Sequence, residues 1–339
     1  MTGQRRRPRA LLVMDGSTFR TQFHAPQLSR LGELADTADP VWVDELDSPG
    51  ARRALRGSEV LLTSWGCPGL TAERLAAAPE LRAVFHCAGT VRPLVSESLW
   101  QRGILVTTAA DDNAVPVAEF TLAAIVFAGK KVPFLAQDAR RHRADWSYRA
   151  ARGELSNRGR VIGLVGFSRV GRRVAAMLRA LEVRVLVADP HADAAEVRAA
   201  GAELVPLPDL LRACDVLSLH LPALPSTSNL IGRRELALLR DGATVINTAR
   251  GAVLDTAALE RECAGGRLDA ILDVTEPEPL PAASVLYDLP NVMITPHVAG
   301  SLDSEARRMS DSALEELARY LDGQPPRSPV TAERLRVSA

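Results

Sequence analysis

The stretch VIGLVGFSRVGRRVA, residues 161–175, decides how the rest of the chain is read. Val161 to Val165 form a short apolar run that stops at Gly166, and a helical pattern opens at Gly171. A run of that length bounded by glycine predicts a buried strand, a tight turn and a helix. The familiar glycine-rich turn reads G-x-G-x-x-G, but here Ser168 stands at the second glycine. The next apolar run, VRVLVAD, ends in Asp189, 18 residues after Gly171. These are the elements of a dinucleotide-binding corner. The helix start offers unpaired N–H groups and partial positive charge to a pyrophosphate, and the acid accepts hydrogen bonds from ribose hydroxyls. Serine at 168 fits if its φ is negative, and its hydroxyl is then free to donate to a phosphate oxygen. A positive φ would cost about 1–2 kcal/mol. Asp189 repels a 2′-phosphate, and neither Pro190 nor His191 supplies a guanidinium to receive one, so NADH is expected over NADPH.

Outward from this corner, short apolar runs alternate with helical patterns. ALLVM, VWV, VLLTS, AVFHC, ILVTT, VIGLVG, VRVLVAD, VLSLHLP, ATVINTA, AILDV and VMITP read as strands. Such alternation predicts parallel sheets with helices on both faces, and the unbroken apolar character of the runs fits strands buried on both sides. The pattern changes over residues 111–150, where DDNAVPVAEFTLAAIVFAGKKV reads as a long helix followed by a charged arm without a strand. A second long helix is expected in SLDSEARRMSDSALEELARYLDG, and the Pro-rich tail QPPRSPVTAERLRVSA is expected to be partly loose. The fold class is α/β, with two Rossmann-like doubly wound parallel-sheet domains and a cleft between them. Residues 1–112 with 301–339 form one domain, and 113–300 form the other.

Composition limits the partners. Lys+Arg and Asp+Glu are both 41, so no basic field gathers nucleic acid, and the cores are aliphatic because aromatic residues make up only 4%. No run approaches the roughly 20 apolar residues of a membrane span, so no membrane contact is expected. The run ALLVM after the basic start is too short for a signal-peptide core. Cys67, Cys87, Cys214 and Cys263 lack paired spacing, which argues against a disulfide framework or a metal site and makes a reducing cytoplasm the simplest setting.

Three strand ends then carry polar chemistry: VINTARGAVLD, ILDVTEPEPLP and MITPHVAGS. In an open parallel sheet ligands collect outside the carboxyl ends of the strands, so Arg250, Glu278 and His297 are placed to meet. A guanidinium grips a carboxylate in two prongs, an imidazole moves one proton near neutral pH, and a carboxylate beside the imidazole orients it. With a nicotinamide, that set interconverts a 2-hydroxy acid and a 2-oxo acid.

The chain resembles the D-isomer-specific 2-hydroxyacid dehydrogenase family from about residue 55 to about residue 320. The matching signatures are NAVPVAEF, the glycine turn, SLHLPALPSTSNLIG, NTARGAVLD, LDVTEPEPLP and TPHVAG, in that order. The resemblance implies that Arg250 binds the substrate carboxylate, that Glu278 raises the pKa of a histidine, and that His297 is the acid/base. It implies that NAD is held by Gly166, Ser168, Arg169, Val170, Gly171 and Asp189, with His220, Pro222, Thr227, Thr248 and Gly300 lining the groove and Asp273 holding the nicotinamide carboxamide. A homodimer is expected through the arm at 130–150. Only 42 residues follow His297, so no appended regulatory domain is expected.

The first domain departs from the family. HCAGTVRPLV, residues 86–95, keeps Ala88 and Gly89, whose N–H groups would hold a substrate carboxylate, but places Val91 and Arg92 where an acid and a small polar residue are usual. Arg92, or Trp65 in TSWGCPG, is therefore a candidate for shaping an unusual pocket. Thr275 replaces a usual aromatic. Glu278 argues against the formate dehydrogenases, which carry Gln there. Two alternatives stay open: an NAD(H)-sensing binding protein of the same fold, and a reductase of an unusual acidic 2-oxo acid such as a phosphonate.

Overall fold

The computed structural model describes residues 6–335. It divides into two compact units, one running through Ala114 and resuming at Ser301, the other Val115–Gly300. In the first unit β1 (Arg9–Val13), β2 (Asp36–Val43), β3 (Val60–Thr63), β4 (Ala83–His86) and β5 (Leu105–Thr108) form a sheet in the order β2-β1-β3-β4-β5. All its strand pairs are parallel. Helix Asp303–Leu321 packs Ala313, Leu314 and Leu317 against the apolar face that includes Leu12, Leu62 and Phe85.

The second unit holds β6 (Val161–Val165), β7 (Arg184–Ala188), β8 (Glu203–Leu204), β9 (Val216–Leu219), β10 (Thr244–Asn247), β11 (Asp269–Leu272) and β12 (Val292–Ile294). Their order is β12-β11-β10-β9-β6-β7-β8, again parallel throughout. The chain runs outward in one direction from β6 and then, from β9, in the other. The carboxyl ends of β6 and β9 therefore border the crevice where an open sheet binds its ligand. Strands β9, β10 and β11 are buried along their whole length, as their apolar runs require.

Two sequence expectations need correction, and one strand lies outside them. The two-residue edge strand β8 is too short to show a pattern and was not anticipated. Helix Ala110–Gly129 has 20 residues and is long and apolar enough, by length and composition, to cross a membrane. Half of that window is buried inside the protein, as in the core helix of a globular fold. The tail is also tied down as far as Leu335. Val330 N donates to Val106 O at 2.9 Å, Pro329 bridges Thr107 antiparallel on the free edge of β5, and Leu335 packs into the core. The buried carboxylate of Glu316 accepts from Arg327 N and Ser328 N, both at 2.9 Å, which anchors the Pro-rich stretch that composition alone marks as loose.

Candidate functional site

The turn after β6 answers the question that Ser168 poses. Gly166 has φ +97°, and a β-carbon there would stand 2.7 Å from the carbonyl oxygen of His220 at the end of β9. Gly171, in the helix Arg169–Leu178, would put a β-carbon 2.2 Å from Gly166 O. Both glycines are required by close backbone approach. Ser168 has φ −74°, an ordinary value, so a side chain is tolerated where the usual pattern has glycine. Its hydroxyl donates to His220 O at 3.0 Å, where the sequence suggested a phosphate oxygen as partner. No side chain caps this helix, so Arg169 and Val170 head a ten-residue helix whose first-turn N–H groups carry its positive end.

Asp189, at the end of β7, faces the same turn. Its Oδ2 accepts from Phe167 N at 2.7 Å and its Oδ1 from His191 N at 2.8 Å. Two of the roughly four lone-pair positions of a carboxylate are used in holding the turn. The equivalent corner of the first unit is filled from within. Asp15 follows β1 and caps the helix Gly16–Gln22, accepting from Thr18 N at 2.8 Å, Thr18 Oγ1 at 2.7 Å and Ser17 Oγ at 2.5 Å. Burial pushes the Asp15 carboxyl up, but these hydrogen bonds more than offset it and hold the group below its ordinary value. A helix start already holding an anion has no place for a phosphate, whereas the uncapped corner after β6 fits one.

The three polar residues at strand ends all lie in the second unit. Arg250 follows β10, with Asn247 Nδ2 donating to its carbonyl at 2.9 Å. Gly251 beside it is pressed on the loop after β11, where a β-carbon would stand 1.9 Å from Thr275 O. Thr256 Oγ1, at the start of the helix that follows, donates to Glu276 O at 2.7 Å and fastens the Glu278 loop to it, while Thr275 Oγ1 donates to Pro277 O at 2.8 Å within that loop. Burial lowers the Arg250 guanidinium from its ordinary value, and the Glu278 carboxylate pulls it back up. His297 follows β12, and its Nδ1 lies 2.5 Å from Glu278 Oε1, with the two side chains about half exposed at 51% and 40%. The pair therefore joins two loops and keeps one imidazole face open to solvent.

His297 has φ +53°, an uncommon value for a residue with a side chain. Its loop is wound about Asp273, which is 2% exposed. Asp273 Oδ1 accepts from Thr295 Oγ1 at 2.6 Å and Val298 N at 2.8 Å, Oδ2 from Ala299 N at 2.9 Å, and its carbonyl from His297 N at 3.0 Å.

The remaining candidates are placed less directly. His220 is buried, its Nε2 3.1 Å from Ser218 Oγ, and burial pushes its pKa down to about 3; the part that borders the turn is its carbonyl, not its imidazole. Thr227 Oγ1 donates to Pro222 O at 2.6 Å and accepts from Leu224 N at 2.9 Å, shaping the loop after β9. The buried Thr248 hydroxyl pairs with Thr121 Oγ1 at 2.8 Å, and Gly300 closes the unit. In the first unit, Thr108 Oγ1 sits 2.8 Å from Ala88 O and 2.7 Å from Gly89 O, fixing the loop that carries both residues. Arg92 donates to the Leu335 carbonyl, so the guanidinium that suggested an anion pocket is used to hold the tail helix. Trp65, after β3, is 41% exposed. Sequence reasoning passed over Asn247, Gly251 and Thr295, although an Asn at a strand end and a Gly beside an Arg are readable turn signals. Among the described residues, no group of three or more His, Cys, Asp or Glu could hold a metal ion.

Comparison with known proteins places the chain in a family. Residues 122–299 match the D-isomer specific 2-hydroxyacid dehydrogenase, NAD binding domain. The chain is 32% identical over 297 residues to the D-3-phosphoglycerate dehydrogenase of Mycobacterium tuberculosis, a match covering 87% of this chain and 55% of that protein. It is 34% identical over 269 residues to the glyoxylate reductase of Aeropyrum pernix, covering 78% of this chain and 80% of that one. The D-mandelate dehydrogenase of Rhodotorula graminis shares the fold with a TM-score of 0.81 at 23% identity, over 96% of this chain and 98% of that chain. The chain spans about half the length of the mycobacterial relative. With a match across most of its length and its second unit aligned almost from end to end, the chain belongs to the D-isomer specific 2-hydroxyacid dehydrogenase family.

Proposed function

We propose that the protein interconverts a 2-oxo acid and a D-2-hydroxy acid with NAD(H). The observation that carries the reading is the 2.5 Å contact of His297 Nδ1 with Glu278 Oε1, beside a half-buried Arg250 on the neighbouring strand end. Arg250 grips the substrate carboxylate through its paired N–H groups. His297, its Nδ1 tied to Glu278, carries a proton at Nε2 to or from the substrate oxygen at C2. Glu278 fixes the ring orientation through its 2.5 Å contact with Nδ1. When bound, the nicotinamide gives or takes a hydride at its C4. The residues that would hold the cofactor are Gly166, Arg169, Val170 and Gly171 at the pyrophosphate, Asp189 at the ribose, and the loops of Pro222, Thr248 and Asp273 further along the groove. The carboxylate of Asp189 disfavours a 2′-phosphate, so NADH is preferred over NADPH.

The arm at 130–150 is our candidate for homodimer contact. Val132 and Trp146 are exposed apolar side chains there, Trp146 by 62%, with Arg149 over its ring at 5.2 Å. Light scattering at micromolar protein, with and without Trp146→Glu, tests that point.

The activity test follows NADH and NADPH absorbance against glyoxylate, pyruvate, hydroxypyruvate, phenylpyruvate, oxaloacetate and phosphonopyruvate. Turnover with NADH that falls about 10²–10⁴-fold in His297→Ala supports the reading. NADH binding without turnover of any acid favours a sensing protein instead. Failure to bind NADH overturns both.

A further inference from the structure

We propose that Thr295 is a positioning residue for His297, acting through the buried carboxylate of Asp273. The inference rests on the reading of His297 as the proton carrier. Four donors within residues 295–299 converge on Asp273: Thr295 Oγ1 at 2.6 Å, Val298 N at 2.8 Å, Ala299 N at 2.9 Å, and His297 N at 3.0 Å on the carbonyl. They bracket His297 on both sides. The histidine itself has φ +53°, a conformation that costs an L-residue free energy and persists where its surroundings over-determine it. A negative φ at this position would redirect the side chain and break its 2.5 Å contact with Glu278. The Asp273 carboxylate is thus the clamp that keeps the imidazole aimed.

Three of the four donors are backbone N–H groups, and the Thr295 hydroxyl is the one among them that a side-chain substitution removes. Oδ1 is shared between that hydroxyl and Val298 N, and this sharing fixes the carboxylate's rotation so that Oδ2 meets Ala299 N. The family resemblance gives Asp273 a part in holding the nicotinamide carboxamide. The geometry points to a carboxylate whose main partners are the histidine loop's own donors. The hydrogen bonds of Thr295 run to Asp273, Leu272 and His297, so its loss is expected to leave the Gly166 turn and Asp189 as they are.

The test compares wild type, Thr295→Val and Thr295→Ser, with Thr295→Ala in place of the valine variant if that one does not fold. One readout needs no substrate. The short N–H···O bond between His297 and Glu278 gives a downfield proton resonance, assigned by its loss in His297→Ala and followed in the cofactor-free protein. The other readout is steady-state kinetics with the best acid of the panel, together with NADH affinity by fluorescence. We expect Thr295→Val to broaden or abolish the resonance and to lower kcat about ten- to hundredfold with NADH affinity unchanged, and Thr295→Ser to restore both. An intact resonance and unchanged kcat in Thr295→Val overturn the inference. So does a variant that loses NADH affinity while keeping the resonance, since that places Thr295 on the cofactor side. Wild-type protein that turns over no acid overturns the proposed function, and the resonance then still decides whether Thr295 positions His297.

Discussion

Gly251 and Thr275 lie so close that a β-carbon on Gly251 would stand 1.9 Å from the Thr275 carbonyl oxygen. The loop carrying Arg250 is thereby seated directly on the backbone of the loop carrying Glu278, without intervening side chains. The clash partner is backbone, which cannot rotate away, so Gly251→Ala must separate the two loops. Overpacking of this kind costs about 1–3 kcal/mol. The expected outcome is a raised KM for the 2-oxo acid and a reduced kcat, because Arg250 and His297 no longer hold one geometry. NADH affinity, measured by fluorescence, should change little. Kinetics equal to wild type would show that the contact does not position Arg250.

The glycine turn separates what is needed from what is customary. Ser168→Gly and Ser168→Ala should bind NADH within a few-fold of wild type, since Ser168 has φ −74° and its hydroxyl serves His220 O. Each loses one neutral hydrogen bond, about 1 kcal/mol of stability. Gly171→Val should bind no NADH at any accessible concentration, because its β-carbon would stand 2.2 Å from Gly166 O and spread the turn. Isothermal titration of the three variants orders them. Strong loss in Ser168→Ala would mean that the hydroxyl turns toward the ligand on binding.

The sequence carries the fold almost completely, because strands buried on both faces are unbroken apolar runs and the strand ends after β10, β11 and β12 are marked by polar residues. Gly166, Asp189, Arg250, Glu278 and His297 could be named from spacing and strand context. What could not be read was set by distant partners. The tail is ordered by Glu316 and the edge of β5, neither of which shows in its Pro-rich composition. Arg92 is directed by the carbonyl of Leu335, 243 residues away. Thr295 and Asp273 form their contact across 22 residues, and a threonine before a proline carries no local sign of it.

Two buried histidines make stability depend on pH with a definite sign. Burial pushes His86 down to about 4 and His220 down to about 3, from an ordinary value of 6.5. Above pH 6.5 both are neutral in folded and unfolded chains and contribute no slope. As pH falls below 6.5 the unfolded chain takes up protons that the fold excludes, so stability is lost, until the folded-state values are reached near 4 and 3. The slope is about 1.4 kcal/mol per pH unit for each histidine within its window. Urea unfolding between pH 7 and 4.5 should show it, and His220→Gln should flatten the slope by one histidine's share. An unchanged slope in His220→Gln would show that the imidazole is protonated within the fold or titrates freely.

Lys131 gives the sharpest stability prediction. Its ammonium is buried beneath the sheet of the second unit, 2.5 Å from Asp269 Oδ2, 3.0 Å from Thr244 Oγ1 and 2.6 Å from Gly242 O. These partners sit at or just before the amino ends of β10 and β11, so one cation ties the segment between Ala110–Gly129 and the helix Val132–His142 to two central strands. Removing it in Lys131→Met takes the hydrogen-bonded counter-charge from a buried carboxylate and leaves it the Arg152 guanidinium, which costs up to about 3–5 kcal/mol. The double variant Lys131→Met/Asp269→Leu should recover most of that loss, because it removes the charge along with its partner. The pH dependence follows from Asp269. Burial already pushes its carboxyl above the ordinary value while Lys131 pulls it back, so without Lys131 it rises further. A folded-state pKa raised above the unfolded one means that the fold holds a proton the unfolded chain has released, and stability then falls as pH rises through that window. Lys131→Met should therefore be closer to wild type at pH 5 than at pH 8. A penalty under about 1 kcal/mol at pH 8, or one independent of pH, would mean that water reaches Asp269 and that the pair is not sealed inside the unit.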